Sequence, residues 1–304
     1  YVANSTEAAR TFVWVDRKGQ VEPTGIPAQT WAYPRISPDG QRIVLDSRQD
    51  ERDLWIWSLN SRNLTRLTFE KGQDAYGIWT NDSKRIIYAA PTAGGEENLS
   101  TRSADGTGKV DVLFASPRHQ TPYSLSPDGA WLVFRDEVPG EGTNIALLNM
   151  KDRQVKPLLN SRFNERNGEI SPDGKWLAYQ SDESGPTEIY VRPFPDIDGG
   201  RAQVSSGGGI RPVWSRDGLE LFFHTTEGDL SIIKRVAFVP GKGLEFTPAV
   251  KVLDVSAFYQ GSYLGRSYDV GRDGRFLLQR TESRPGANAN AGISLVLNWT
   301  RELR

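Results

Sequence analysis

Short apolar runs separated by polar or glycine-bearing turns recur along this chain. Ile43-Val44-Leu45 and Leu54-Trp55-Ile56-Trp57 come first. Trp131-Leu132-Val133-Phe134, Ile145-Ala146-Leu147-Leu148, Trp176-Leu177-Ala178-Tyr179 and Leu221-Phe222-Phe223 follow the same form. Near-continuous apolar runs of this length predict strands buried on both faces, since a sheet with one wet face would alternate apolar and polar residues. No segment carries a convincing helical stripe.

The turns between these runs repeat. Ser-Pro-Asp-Gly stands at 37–40, 126–129 and 171–174, with Thr-Asn-Asp-Ser at 80–83, Ser-Arg-Asp-Gly at 215–218 and Gly-Arg-Asp-Gly at 271–274. Successive first residues are 43, 46, 45, 44 and 56 apart. A period in the mid-forties with four strand-like runs in each predicts propeller blades rather than a helical solenoid. The expected fold is therefore all-β, a six-bladed β-propeller of four-stranded antiparallel blades forming one domain over residues 1–304.

Within each turn, proline presets φ, aspartate accepts backbone amide bonds and glycine takes positive φ. The six aspartates (39, 82, 128, 173, 217 and 273) are accordingly read as turn residues, not as a ligand set. Ring closure is expected in a last blade built from residues 268–270, 275–278 and 294–299, completed by the N-terminal run 11–15. The turn-like Asp16-Arg17-Lys18-Gly19 leaves one or two N-terminal strands open. Pairing the termini would remove exposed sheet edges.

Composition narrows the function. With 37 basic and 38 acidic residues the net charge is −1, which argues against a nucleic-acid partner. No apolar run is long enough to span a membrane. Cysteine is absent, so thiol nucleophiles and disulfides are excluded. The first residue is Tyr1 and the sole methionine Met150, so a processed or excised part of a longer protein is expected.

The turn phrases resemble the WD40-like PD40 repeat of TolB-type propellers over about residues 11–299. Phe12-Val13-Trp14-Val15-Asp16-Arg17-Lys18-Gly19 and Leu297-Asn298-Trp299 look like the borders of one subgroup. That subgroup is attached, after a membrane-spanning segment, to bacterial serine/threonine kinases. The resemblance implies a sensor or interaction domain, periplasmic or extracellular; a monomer is expected. Kinase motifs are missing from the chain, so phosphoryl transfer does not belong to it. Prolyl-oligopeptidase-like propellers are also similar, but their Gly-x-Ser-x-Gly elbow is absent.

Candidate recognition residues lie upstream of each motif, where the innermost strands begin. Four residues before it stand Tyr33, Tyr76, Pro122, Asn167, Arg211 and Ser267; six before it stand Trp31, Asp74, Gln120, Glu165, Gly209 and Gly265. These columns vary while the turn columns repeat. Together with Arg35, His119, Tyr123, Arg166, Tyr263 and Arg266 they predict a funnel of aromatic and arginine side chains. Such a funnel suits a peptide, protein or glycan through stacking and bidentate bonds. The bland alternative is that large side chains plug the channel mouth. A rival function is a calcium-dependent hydrolase or lyase using Asp74, Glu165, Glu169 and Asp269 in the channel. No cofactor is otherwise expected, and nearby arginines offer those carboxylates ion pairs instead.

Three further features are not read as metal or phosphate sites, and His224, at the end of an apolar strand, is read as structural. His119 and His224 fall in different blades and make no zinc site. Asp196-Ile197-Asp198-Gly199-Gly200 lacks the later ligands of a calcium loop and reads as a turn. Gly207-Gly208-Gly209 precedes no helix, so it is a crossing between blades. Residues 241–261 lengthen the last step and bring Phe258 and Tyr259 to the rim. Residues 283–292 read as a loop.

Overall fold

The computed structural model describes residues 8–49, 52–92, 95–137, 142–239, 243–261 and 265–282. Among these the chain forms six four-stranded antiparallel sheets arranged as the blades of a propeller. Blade 1 comprises Trp31–Ile36, Arg42–Ser47, Leu54–Ser58 and Leu64–Arg66, from the axis outward. Blades 2 to 5 repeat this order, with innermost strands Ala75–Trp79, Gln120–Leu125, Arg166–Ile170 and Ile210–Trp214.

Blade 6 is shared by the two ends of the described chain. Asp269–Val270 and Phe276–Thr281 supply its inner strands, Arg10–Val15 its third and Val21–Pro23 its outermost. Val13 lies opposite Leu278 in antiparallel register. Two N-terminal strands therefore close the ring. The third position, expected for residues 294–299, is held by Arg10–Val15, and residues 294–299 lie outside the described residues. The turn that joins the two N-terminal strands is set by Asp16, whose Oδ1 accepts from the Lys18 and Gln20 amides and so makes a hairpin.

The core is divided among the blade interfaces. Phe12, Trp14 and Leu277 of blade 6 pack against Trp31, Ile43, Leu45 and Trp57 of blade 1. Five further clusters fill the remaining interfaces in the same manner. Each middle strand thus buries both faces, which is why its sequence does not alternate.

The motif turns have the chemistry expected of them. Asp39 Oδ1 accepts the Gln41 amide at 2.9 Å, and Ser37 Oγ donates to the same oxygen while accepting the Arg42 amide. The corresponding amide reaches Asp82, Asp128, Asp173, Asp217 and Asp273. Ser83 replaces glycine in blade 2 at φ +60°, and its hydroxyl accepts the Asp39 amide of blade 1. Residues 197–199 form a single helical turn capped by Asp196, joining two outer strands of blade 4. Within the long step, Val250–Asp254 is the outermost strand of blade 5.

Candidate functional site at the channel mouths

Each innermost strand of blades 1 to 5 breaks register a few residues before its motif. At the break, Tyr33, Tyr76, Asn167 and Arg211 adopt φ of +48°, +59°, +53° and +57°. Left-handed backbone costs a bulky residue on the order of 1–2 kcal/mol. Bulges of this kind re-aim a side chain, and such strain concentrates at functional sites. Neighbouring blades hold the bulges in place. The Tyr76 amide donates to Asp46 Oδ2 at 2.7 Å, and the Arg211 amide to Gln180 Oε1 at 3.0 Å.

The bulges of blades 1 and 2 build one mouth of the channel. The Tyr33 and Tyr76 rings lie 4.7 Å apart at 33°. The Arg48 guanidinium sits 4.7 Å from the Tyr33 ring centre and 5.8 Å from that of Tyr76. Gly265 makes room for the pair, since a Cβ there would come 2.5 Å from Tyr33 Cδ1. Across the opening, the Arg10 guanidinium lies 3.6 Å from the Tyr259 ring centre. These groups and Arg52 border a cavity of about 320 Å3, and among the described residues its lining contains no carboxylate. Asp46 is buried near this mouth, and burial raises its carboxyl to about 7 despite the opposing charge of Arg48.

The opposite mouth, at the motif turns, has a different character. A cavity of about 390 Å3 is floored by Arg35, Glu169, Arg266 and Asp269. Arg35 Nη1 is 2.9 Å from Glu169 Oε1, and Arg266 bridges Glu169 and Asp269. Burial works against the Asp269 charge, but Arg266, Arg216 and Arg35 hold its carboxyl below the usual carboxylate range. The second residue of every motif reaches this rim: Pro38, Asn81, Pro127, Pro172, Arg216 and Arg272.

The residues singled out from sequence are thus dispersed. Tyr33 and Tyr76 face the bulge-side cavity, whereas Arg35, Tyr123 and Arg266 line the turn-side one. Both groups also border a narrow throat between the mouths. Trp31 is fully buried between blades 6 and 1, its Nε1 donating to the Pro27 carbonyl. Arg211 is buried and fastens Ser267 and Gly261 under the bulge-side mouth. Arg166 bonds Thr143, and exposed His119 meets Glu96 at 2.8 Å. Tyr263 lies outside the described residues.

The four carboxylates weighed for calcium do not converge. Asp74 is buried and raised to about 7 by burial, with Thr68 its hydrogen-bond partner; Glu165 bonds Ser161. Neither lines a channel-mouth cavity, and Glu169 and Asp269 are occupied by arginine. Among the described residues no group of three or more His, Asp or Glu could hold a metal ion. Sequence reasoning missed Arg48 and Arg52, which fall in a loop with no repeating signal. It also missed Arg216 and Arg272, although arginine at a turn position where three blades carry proline was a visible departure.

No family model matches the chain. Solved structures do. A putative TolB from Agrobacterium tumefaciens superposes with a TM-score of 0.74 at 14% identity, covering 91% of this chain and 99% of that one. TolB from Acinetobacter baumannii gives 0.62 at 16% identity, covering 92% of this chain and 66% of that one. An oligogalacturonate lyase from Vibrio parahaemolyticus gives 0.53 at 12% identity, covering 88% and 96%. At these identities the likeness is one of fold.

Proposed function

From the TolB-type six-bladed fold that the chain shares with those structures, we propose a non-catalytic propeller that binds a peptide, protein or glycan at its bulge-side mouth. The observation that carries this reading is the Tyr33–Tyr76 pair under Arg48, held on two strained bulges. A plug would need neither the strain nor an arginine-rich rim that, among the described residues, carries no carboxylate. Rigid blades preset the rings, so little ordering entropy is lost on binding. Stacked tyrosines offer apolar area with few rotamers to freeze, and Arg10, Arg48 and Arg52 favour ligands with acidic groups. The propeller resemblance supports a sensor or interaction role in an extracytoplasmic compartment. Among the described residues no helix is long and apolar enough to cross a membrane.

The rival, a calcium-dependent hydrolase or lyase, finds support in the fold likeness to the lyase, but its candidate carboxylates are scattered or paired. The test is a panel of defined acidic and neutral peptides and oligosaccharides applied to wild-type protein and to Tyr33→Ala/Tyr76→Ala. Saturable binding by wild type that falls at least about tenfold in the variant is expected, the scale of losing an interfacial aromatic anchor. Binding that survives the double change at an unchanged melting temperature would place recognition elsewhere.

A further inference from the structure

The turn-side mouth carries more positive charge than its fold requires. Among the described residues, four guanidinium groups, Arg35, Arg216, Arg266 and Arg272, share its lining with two carboxylates, Glu169 and Asp269. Arg35 and Arg266 are deep in the floor, and burial together with the Arg266 charge lowers the Arg35 pKa. Among the described residues, the buried Arg266 Nε has no hydrogen-bond partner. Arg216 and Arg272 stand at the exposed rim. Arg216 reaches the Ile36 and Val270 carbonyls and comes 3.6 Å from Asp269 Oδ2. Arg272 reaches the Pro38 carbonyl.

The turn itself does not call for these two arginines. Pro38, Pro127 and Pro172 fill the same position in three other blades and preset its φ. In blades 5 and 6 arginine replaces proline side by side, on the same flank of the channel as Arg266. The result is a rim pair above a floor pair, with a surplus of two positive charges over the acids. Apolar side chains, Ile36, Ile78, Leu125 and Ile170, wall the space between the motif turns. The volume of about 390 Å3 falls in the range of small-molecule sites, roughly 300–1,000 Å3.

We infer that the turn-side mouth is a binding site for a small organic dianion bearing two carboxylates. Planar guanidinium forks match carboxylates bidentately. One carboxylate of the ligand meets Arg216 and Arg272 at the rim. The other approaches the floor above Arg35 and Arg266, and the apolar walls take the connecting carbons. Two negative charges balance the surplus, whereas a neutral ligand would leave it in place. This site is independent of the bulge-side reading, because its residues lie at the other end of the channel.

The experiment is calorimetric titration of the intact chain with succinate and malate, both dicarboxylates, with succinamide as the neutral control. We expect one equivalent of dianion to bind, succinamide not to bind, and affinity to fall as sodium chloride is raised. In Arg216→Gln/Arg272→Gln the affinity falls about tenfold or more, the scale of losing charge-assisted hydrogen bonds. If the double glutamine variant does not fold, Arg272→Gln alone decides the matter, since that side chain is exposed and its loss leaves the core intact. The inference is overturned if neither anion binds saturably to wild type. It is equally overturned if the folded glutamine variant binds as wild type does.

Discussion

The backbone N–H of Tyr76 donates to Oδ2 of Asp46 across 2.7 Å, from blade 2 to a buried carboxylate of blade 1. The bond explains how a bulky residue is kept in left-handed backbone at φ +59°. Its N–H points away from its own sheet and would otherwise be buried without a partner, at a cost of about 1–3 kcal/mol. Gln180 Oε1 performs the same service for Arg211 at the blade 4–5 junction. The strain that aims these side chains is thus supported by polar groups on the preceding blade.

Asp46 makes that support sensitive to pH. Its carboxyl titrates at about 7 in the fold, against about 4 in an unfolded chain. Between those values the folded protein holds an extra proton, so this contribution to stability is greatest below pH 4 and is lost as pH rises to 7. Asp46→Asn keeps an acceptor for the Tyr76 amide and removes the ionisation. The variant should equal wild type near pH 4.5 and exceed it in melting temperature above pH 7. Asp74, also raised to about 7, should keep part of the slope, which Asp46→Asn/Asp74→Asn would flatten further. Melting curves from pH 4.5 to 8 read both effects, and an Asp46→Asn deficit at pH 8 would refute the assignment.

His224 works in the opposite direction. It is buried, neither ring nitrogen has a hydrogen-bond partner among the described residues, and burial with the nearby Arg211 charge lowers its pKa to about 4. An unfolded histidine titrates near 6.5, so the unfolded chain gains the proton first on acidification. Stability from this group is present above pH 6.5 and is lost as pH falls toward 4. His224→Leu forfeits no hydrogen bond. It should lie within about 1.5 kcal/mol of wild type at pH 7.5, the usual limit for a tolerated change of similar volume. At pH 4.5 it should be the more stable of the two by chemical denaturation. A variant equally disadvantaged at both pH values would show that the histidine is not neutral in the fold.

The blades were legible because turn chemistry and apolar runs repeat with one period, and each repeat must satisfy the same local constraints. The site was legible only as a set of columns. A regular strand puts residues two apart on one face, which groups Tyr33 with Arg35. The register break between Ala32 and Arg35 sends them instead to opposite mouths, Tyr33 beside Arg48 and Arg35 beside Glu169. Trp31, on the far side of the break, turns into the blade 6–1 core. No sequence period encodes a bulge. Nor could one sequence reveal that Arg48 leaves its loop to lie over two tyrosines.

Ring closure rests on Val13, fully buried and paired with Leu278 where the two ends of the described chain meet. Val13→Asp places a charge with no partner between blades 5 and 6, inside the cluster that contains Phe222 and Phe276. The loss should be on the order of 4 kcal/mol or more, the range associated with a buried unpaired charge. Val21→Asp, at an exposed position of the outermost strand, should change stability by less than about 0.5 kcal/mol. Denaturant titration of the pair measures the difference. Equal, small effects would mean that the N-terminal strands do not carry the closure.

Pro122 and Ala89 form the exception that tests the blade-to-blade account of the bulges. Ala89 lies opposite Ala75, the residue before the bulge, as Asp46 lies opposite Ala32 and Gln180 opposite Arg166. It is the position from which blade 2 would serve the bulge of blade 3, yet it carries no acceptor. Pro122, the residue just before the unpaired Tyr123 of that bulge, has no N–H to serve. The two absences fit one another. Pro122→Ala introduces a buried donor without a partner and should cost about 1–3 kcal/mol. Ala89→Asn alone should also destabilise, by crowding a fully buried position and leaving its amide unpaired. If the account is right, the double variant recovers part of both losses, with a favourable coupling of at least about 0.5 kcal/mol in a double-mutant cycle. Strict additivity would show that the polar groups facing the other bulges are incidental to the strain.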